Sequence, residues 1–250
     1  MKIAIVRVGV DAGSGSGGIQ GPLFRDGTFE FIPIPENPDA DVIPKYTYGN
    51  LMGRHGKPLV QYFPHRRQVK MTECGVHCDP DWKSLTYGDW TGGPKSGLKD
   101  LEKGDILIFS CGLQGWDFRS RPGIYLAGYF RVQVAGKLSD LSQQFTQREL
   151  RKLFGQNAHV RGLPLGRLIN KWGDQLILVK GSHQSRLLKK AVLLSMTIED
   201  SIGRPLKVLS PKMKRIFGDF GGKVSIQRSP TRWVNESCVR KVADFLSTLE

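Results

Sequence analysis

The densest group of chemically capable side chains lies in Cys74–Trp82, which reads CGVHCDPDW. His77 brings an imidazole, and Asp79 and Asp81 bring two carboxylates on either side of a proline that fixes the local backbone. Imidazoles, thiolates and carboxylates are metal ligands, and paired carboxylates also act as general acid and base. We therefore take His77, Asp79 and Asp81 as candidate catalytic residues.

A structural zinc site needs a second pair of ligands, and the sequence offers none at a typical spacing. Cys111 and His159 are the remaining candidates. The competing interpretation is a proline-containing turn in which Asp79 caps the backbone of residues 81–83. Both interpretations stay open, and the sequence identifies no metal and no cofactor.

Asp11 is a further candidate catalytic residue because it follows the first predicted strand, the apolar run Lys2–Val6. The segment Gly9–Gly18 then forms a glycine-rich loop, whose backbone N–H groups can cradle a phosphate. The loop has neither the spacing of a dinucleotide fingerprint nor the Lys-Ser/Thr pair of a P-loop. A surface loop with Asp11 in a turn explains the same residues.

Hydrogen-bond donors follow another predicted strand, Asp174–Ser182. Lys180, Ser182 and Arg186 surround its end, and the apolar spacing in Ser185–Met196 predicts a helix that begins there. Phosphate groups bind well at helix N-termini. We therefore take these three donors as candidate phosphate-binding residues, with a solvated strand-to-helix loop as the alternative.

Four more residues are candidates for binding a base or phosphate: Trp116, Tyr129, His159 and Arg161. Aromatic rings stack on bases, and histidine and arginine hydrogen-bond to base edges and phosphates. His159 and Arg161 lie on either side of Val160, so in a strand they face the same way. Each also has a structural explanation, as a core aromatic or as a hydrogen-bonded histidine near a helix end.

The elements that must position these residues begin with a β-hairpin. Gly104-Asp105 is a turn signal, and Ile106–Phe109 is an apolar strand. Ile124–Val132 predicts the second strand, in which Gly128 marks a bulge or bend of the kind that barrels need. Asp26-Gly27 predicts another, shorter hairpin nearer the start of the chain.

Two amphipathic segments predict helices. Leu138–Phe154 has helical spacing, with Thr146 and Glu149 as a capping box that begins its second part. Asn235–Leu249 predicts a C-terminal helix with Asn235 as its N-cap. Together with the strands, these segments favour an α+β fold.

The net charge of +14 is unevenly distributed along the 250 residues. Residues 1–110 carry 13 Lys and Arg against 13 Asp and Glu, whereas residues 111–250 carry 24 against 10. Basic residues bind polyanions by releasing counterions, so DNA or RNA is the natural partner. A well-solvated basic surface explains the same charge.

Composition also limits location and organisation. No apolar run reaches membrane-span length, and Lys2–Val10 is too short for a signal peptide, so we expect a cytoplasmic protein. Four cysteines are few for this length, and we expect reduced thiols. Strands on both sides of Cys111 predict a single intertwined domain over residues 1–250, with a neutral part (1–110) and a basic part (111–250).

Several motifs resemble the third family of nucleotide-modification-associated domains. They read VDAGSGSGGIQGPLFRDGTFEFIPIP, HCDPDW, LEKGDILIFSCGLQGW and IYLAGYFRV, with NAHVR and LVKGSHQSRLLKKAV where later motifs fall. The resemblance implies a role in phage or bacterial DNA base-modification systems, alongside other proteins of those systems. The paired Gly-Asp and Gly-containing strands are also similar to PUA, ASCH and EVE barrels, which bind RNA or modified bases. We therefore expect a mixed, PUA-like β-barrel core with flanking helices.

Two functional hypotheses follow. In the first, the protein binds DNA or RNA and recognises a modified base or nucleotide through Trp116, Tyr129, His159 and Arg161. In the second, it is an enzyme that modifies a nucleotide or base, with Asp11, His77, Asp79 and Asp81 at its centre as metal ligands or as general acid and base. The absence of a recognisable nucleophile motif leaves open whether the protein is an enzyme.

Overall fold

The computed structural model of the chain describes residues 1–12, 18–37, 44–222, 225–227 and 230–249. They form the α+β fold expected from the sequence. The strands are β1 (Ile3–Arg7), β2 (Gly21–Leu23), β3 (Ile34–Pro35), β4 (Val76–His77), β5 (Thr86–Trp90), β6 (Ile106–Gly115), β7 (Gly123–Lys137), β8 (Leu176–Gly181), β9 (Arg186–Leu193), β10 (Ser195–Glu199), β11 (Pro205–Leu209) and β12 (Arg232–Trp233). The α-helices are α1 (His65–Thr72), α2 (Leu138–Gln144), α3 (Gln147–Phe154), α4 (Leu165–Trp172), α5 (Pro211–Phe217) and α6 (Glu236–Ser247).

One mixed sheet dominates the fold, in the order β12-β1-β6-β7-β8-β5, with β2 added to β6 and β9 added to β7. The apolar strand β1 runs parallel to β6, with Ile3 beside Ile106, and β12 adds antiparallel to β1. All five residues of β1 are buried, as a strand covered on both faces requires. The sheet therefore joins strands from both the neutral and the basic parts of the sequence.

The predicted hairpin is confirmed as β6 and β7, which pair antiparallel with register shifts near their middle. Gly128 lies at this irregularity, and a Cβ there would sit 2.5 Å from both the Arg186 carbonyl oxygen and the Trp82 ring. Only glycine fits such a close approach. The sheet path ends at β12 and β5, and these strands do not pair within the described ranges, so a closed barrel is not confirmed.

The two helical predictions differ in detail from the structure. Leu138–Phe154 forms two helices, α2 and α3, separated at Phe145. The Thr146–Glu149 capping box is confirmed at the start of α3. Asn235 does precede α6, but its side chain donates to Asp219 instead of capping the helix.

The prediction of a helix over Ser185–Met196 is wrong. This segment forms β9, which pairs antiparallel with β7, and the beginning of β10. Its apolar residues suit either structure when read alone, and pairing with the long strand β7 decides between them. No helix begins beside Lys180 and Ser182, so a helix dipole does not support phosphate binding there.

Three apolar clusters fill the interior of the part of the chain that the structure describes. The largest packs around the main sheet, the second includes Val10, Tyr48 and Val76, and the third lies between the helices α2 to α4 and β8. None of the helices in the described ranges has the length and apolar character needed to span a bilayer. The short pair β3–β4, whose Val76 belongs to the second cluster, carries His77.

Candidate functional site

Three side chains converge near this point: His77, Asp79 and His159. The Nε2 atoms of the two histidines are 3.3 Å apart. The Asp79 Oδ2 atom lies 3.3 Å from the His159 Nε2 atom and 3.9 Å from the His77 Nε2 atom. The side chains of Asp79, His77 and His159 are 4%, 13% and 12% exposed. Two imidazoles and one carboxylate thus form a small, largely buried triangle of ligand atoms.

Backbone pairing places the first two of these residues. His77 lies opposite Ile34 in the β3–β4 pair, and the chain then turns through Pro80 so that Asp79 faces β5. Both carboxylate oxygens of Asp79 accept a hydrogen bond from the Gly88 backbone N–H, at 3.0 Å. This bifurcated bond holds the carboxylate in one orientation.

His159 reaches the same point from the turn that follows α3. The Asn157 Oδ1 atom accepts a hydrogen bond from the His159 backbone N–H, and the Asn157 amide donates to Asp79 Oδ1 at 3.3 Å. Asn157 is fully buried, so it links the turn to the carboxylate without water. A Cβ on Gly88 would lie 2.5 Å from the His159 ring, so this approach requires glycine in β5.

Glu36 forms an outer layer behind His77. Its two carboxylate oxygens lie 2.9 and 3.1 Å from the His77 Nδ1 atom. A hydrogen bond from Nδ1 to a carboxylate fixes the tautomer of a neutral histidine and leaves the Nε2 lone pair free. The Nε2 atom is directed toward Asp79 and His159. This carboxylate–histidine arrangement is typical of metal-binding histidines.

Burial and neighbouring charges shift the pKa values of His77 and Glu36. Burial lowers the pKa of His77, but the hydrogen bond to Glu36 and the charges of Asp79 and Glu36 outweigh it, and the net shift is upward. Burial raises the pKa of Glu36, but its hydrogen bond to His77 gives a net shift downward. The carboxylates of Glu36 and Asp79 therefore favour positive charge on the His77 ring.

The ligand spacing suits a transition metal. In a tetrahedral site with metal–ligand distances of about 2.0–2.2 Å, ligand atoms lie about 3.3–3.6 Å apart. Two sides of the triangle measure 3.3 Å, and the third, between His77 Nε2 and Asp79 Oδ2, measures 3.9 Å. Imidazole ligands disfavour Mg²⁺ and Ca²⁺ and suit zinc, iron and similar ions. Three protein ligands also leave coordination positions for water or substrate.

Aromatic residues lie beside the triangle. The Trp90 ring packs edge-on against His159 with ring centres 5.5 Å apart, and Trp172 packs against Trp90 at 5.3 Å. Trp90 remains 36% exposed at the end of β5. The two tryptophans shield one side of the imidazole cluster from water and leave an aromatic surface next to it.

The structure places the other candidate catalytic residues elsewhere. The Asp81 carboxylate accepts hydrogen bonds from the Lys83 backbone and the Ser84 hydroxyl, so Asp81 organises the turn before β5. Asp11 forms a buried ion pair with Arg7 and accepts from the Gly112 N–H. Burial raises the pKa of Asp11, although the charge of Arg7 opposes it. Residues 13–17 of the glycine-rich loop lie outside the described residues.

The candidate binding residues are also dispersed. Trp116 is 49% exposed beside an open depression of about 620 Å³ lined by residues 114–120. Tyr129 is buried within β7, beneath the Arg186 guanidinium. The Lys180 ammonium donates to the Ser84 carbonyl.

Two binding candidates remain. Arg161 is partly buried, and its positive charge lowers the pKa of the nearby Cys78 thiol. Burial of the thiol has the larger effect and raises its pKa to about 11. Ser182 donates its backbone N–H to Arg131, and its hydroxyl accepts from the Gln184 backbone. Among the sequence candidates, His77, Asp79 and His159 form the one group of three potential metal ligands found in the described part of the chain.

Sequence reasoning missed the supporting residues. Glu36 lies 41 positions before His77, in a proline-rich segment without helical or strand periodicity. Asn157 and Gly88 act through hydrogen bonding and close approach, which residue type alone does not reveal. The sequence offers His159 as a remaining candidate metal ligand, and the structure brings it to His77.

Comparison with known families supports the motif resemblance. A family model described as nucleotide modification associated domain 3 matches residues 2–245, almost the whole chain. No curated protein and no solved structure matches the chain.

Proposed function

This chain belongs to the nucleotide modification associated domain 3 family, and from that premise we propose that it is a metal-dependent enzyme that modifies a nucleotide or a base. The observation that carries the proposal is the triangle of His77, Asp79 and His159. Family membership supports a role in nucleotide modification, and the triangle supports catalysis in addition to binding.

The three residues have distinct roles in this proposal. His77 and His159 supply neutral imidazole ligands, and Asp79 supplies the anionic ligand. A divalent transition metal bound there would act as a Lewis acid on the substrate or on a water molecule. Glu36 holds the proton on His77 Nδ1, and Asn157 positions both Asp79 and the turn that carries His159.

Nucleic acid is the partner we propose for this chemistry. The basic excess of residues 111–250 supports an anionic polymer, since phosphates bind lysine and arginine by counterion release. Trp90 beside His159 offers an aromatic face near the proposed metal, and stacking on aromatic rings is how proteins hold an unstacked base.

A second candidate function is recognition without catalysis. Trp116 is half exposed beside the depression at residues 114–120, where a ring can stack on a base. In this account the protein binds DNA or RNA as a reader or accessory subunit of a modification system. The two candidates differ in whether the nucleosides change.

Mass spectrometry of digested nucleosides separates the candidates. DNA is incubated with cell extract and purified protein loaded with Zn²⁺, Mn²⁺ or Fe²⁺, and its nucleosides are compared with those of untreated DNA. The proposal predicts a gained or lost nucleoside mass that requires metal and disappears in Asp79→Asn. The control Asp244→Asn removes an exposed carboxylate from α6 and should behave as the wild type.

Two outcomes would count against the proposed metal-dependent catalysis at this site. Tight, salt-sensitive binding with every nucleoside unchanged would make the protein a reader or accessory subunit. A change in nucleosides that is the same with and without metal, and the same in Asp79→Asn, would remove this site from the reaction.

A further inference from the structure

A two-stranded ribbon, β10 and β11, extends from the main body. Five residue pairs join the strands, from Ser195 beside Leu209 to Glu199 beside Pro205. At about 3.4 Å per residue these pairs span roughly 17 Å. All residues from 196 to 199 and from 201 to 205 are exposed, whereas Val208 and Leu209 at the base are buried. Neither face of the outer half of the ribbon therefore packs against the rest of the protein.

The base of the ribbon is fixed to the body. The Ser195 hydroxyl accepts a hydrogen bond from the Ile124 backbone in β7, and the Ser210 N–H donates to the Leu194 carbonyl. An isolated two-stranded ribbon is marginally stable in water, so these attachments set its direction.

The exposed part of the ribbon is apolar on one face. Met196 and Ile198, paired with Val208 and Leu206, share that face and are 40% and 38% exposed. Ile202 at the tip is 68% exposed. Exposed apolar surface of this kind costs free energy unless a partner covers it.

The tip is held in one conformation. The Asp200 Oδ1 atom accepts from the backbone N–H groups of Ile202 and Arg204, at 3.0 and 2.9 Å. Asp200 also forms an ion pair with the Arg204 guanidinium at 2.9 Å. A preorganised tip loses little entropy when it inserts into a partner.

The surroundings of the ribbon are strongly basic. Residues 186–215 contain eight Lys and Arg against Glu199 and Asp200. Lys212, Lys214 and Arg215 are exposed on α5, which begins two residues after the ribbon ends. A ribbon with an apolar tip and with cations beyond its base suits a partner with an anionic surface and an apolar interior.

We propose that the β10–β11 ribbon enters a groove of duplex DNA and that Ile202 inserts between base pairs as an apolar wedge. Two-stranded ribbons fit the grooves of B-DNA, whereas the major groove of A-form RNA is too narrow for side chains to read. Apolar wedges unstack a base step and bend the duplex. The cations of α5 would contact the phosphates beside the groove.

This inference goes beyond the proposed function and does not depend on the metal. Unstacking by Ile202 would help an enzyme reach a base that is otherwise enclosed in the duplex. The ribbon still predicts binding and bending where no nucleoside changes, so each proposal can fail alone.

The test uses the full chain and a short DNA duplex with a donor and an acceptor dye at its ends. Energy transfer reports the bend, and titration reports affinity. Ile202→Ser should abolish the bend and weaken binding about three- to tenfold, because it removes the wedge and leaves the phosphate contacts. The control Val69→Ser changes an 87% exposed valine on α1 and should bind and bend as the wild type does.

A second pair of variants tests the phosphate contacts. Lys212→Gln with Lys214→Gln should reduce the slope of log affinity against log salt by about 1.8, since each contact contributes about 0.9. Lys99→Gln with Lys103→Gln removes the same charge from exposed positions in the neutral part and should leave the slope unchanged.

Two results would overturn the inference. If Ile202→Ser binds and bends DNA as the wild type does, the tip does not enter DNA. A dimer in sedimentation that dissociates in Ile202→Ser, without any change in DNA binding, would instead assign the apolar face to a second copy of the chain.

Discussion

Glu36 determines how His77 presents its ring. Its carboxylate lies within hydrogen-bonding distance of Nδ1, and the opposite ring atom points at Asp79 and His159. A carboxylate in this position keeps the ring in one orientation and makes the other nitrogen more basic. At the residue scale, the site therefore depends on a layer of supporting groups as well as on the three ligands.

Glu36→Gln should weaken metal binding without abolishing it. An amide keeps the shape of the side chain but supports His77 less well, and loss of such an outer partner typically costs about 10- to 100-fold in metal affinity. Competition with a chromophoric chelator measures the change. Glu73→Gln alters an exposed glutamate just after α1 and should leave affinity unchanged. Equal affinities in Glu36→Gln and wild type would show that Glu36 does not orient His77.

Gly88→Ala should displace His159. The new methyl group would lie 2.5 Å from the His159 ring, closer than real Cβ contacts allow, so the ring must move away from Asp79. We expect a large loss of metal affinity in a chain that still folds, as measured by calorimetric titration with Zn²⁺ and by circular dichroism. Gly92→Ala is the matched control, since no atom lies within 4 Å of its Cβ position. Unchanged affinity in Gly88→Ala would contradict the described approach of His159.

The sequence predicts those residues of the site that lie close together along the chain, and it predicts distant ones poorly. His77 and Asp79 were identified together because they are two residues apart. His159 is 82 residues from His77, so the sequence presented it only as one open alternative. Glu36 and Asn157 carry no signal of their own, because their roles arise from contacts that the fold creates.

At the scale of elements, β5 connects the site to the sheet. Asp89 in this strand accepts a hydrogen bond from the Tyr87 hydroxyl at 2.7 Å and pairs with the Lys95 ammonium at 3.0 Å. Burial raises the pKa of Asp89, but Lys95 and Tyr87 outweigh it and the net shift is downward. This network holds the strand that supplies the Gly88 N–H to Asp79.

Asp89→Asn should remove a pH-dependent part of the stability. A carboxyl group whose pKa is lower in the folded state than in the unfolded state stabilises the fold at pH values well above its ordinary pKa of 3.8. This contribution is lost as the pH falls from 3.8 to the pKa of the folded state. The difference in unfolding free energy between wild type and Asp89→Asn should therefore shrink on acidification. Urea unfolding at several pH values measures it, with the exposed Asp174→Asn as control. A difference that is constant with pH would contradict the assigned shift.

Thr146→Ala should destabilise the protein by about 1 kcal/mol, the usual effect of losing an N-cap. Thr146 and Glu149 exchange hydrogen bonds at the start of α3, the helix whose end leads into the His159 turn. Urea unfolding measures the loss, and metal affinity of the folded protein should remain unchanged. Thr248→Ala, which follows α6 and is not an N-cap, should have a smaller effect.

The elements that were predicted correctly have local signals. The β6–β7 hairpin combines a Gly-Asp turn with two apolar runs, and the capping box of α3 is a four-residue pattern. Ser185–Met196 was misassigned because its apolar residues fit a helix and a strand equally well. Pairing with β7, more than 50 residues earlier in the chain, is information that local periodicity does not contain.

At the scale of the whole molecule, one sheet unites parts of different net charge. The neutral part supplies β1 and β5, the basic part supplies β7, β8 and β12, and β6 crosses the boundary between the two parts. The proposed metal site combines His77 and Asp79 from the neutral part with His159 from the basic part. The proposed cation site thus lies within a chain of net charge +14.

Metal content of the purified chain tests the central claim most directly. After loading with Zn²⁺, Mn²⁺ or Fe²⁺ and removal of free ion, elemental mass spectrometry should find about one bound metal per chain in the wild type and in His183→Ala, an exposed histidine. His159→Ala should retain almost none, because only two ligands remain. A wild type that retains no metal, or a His159→Ala variant that retains as much as the wild type, would contradict the account.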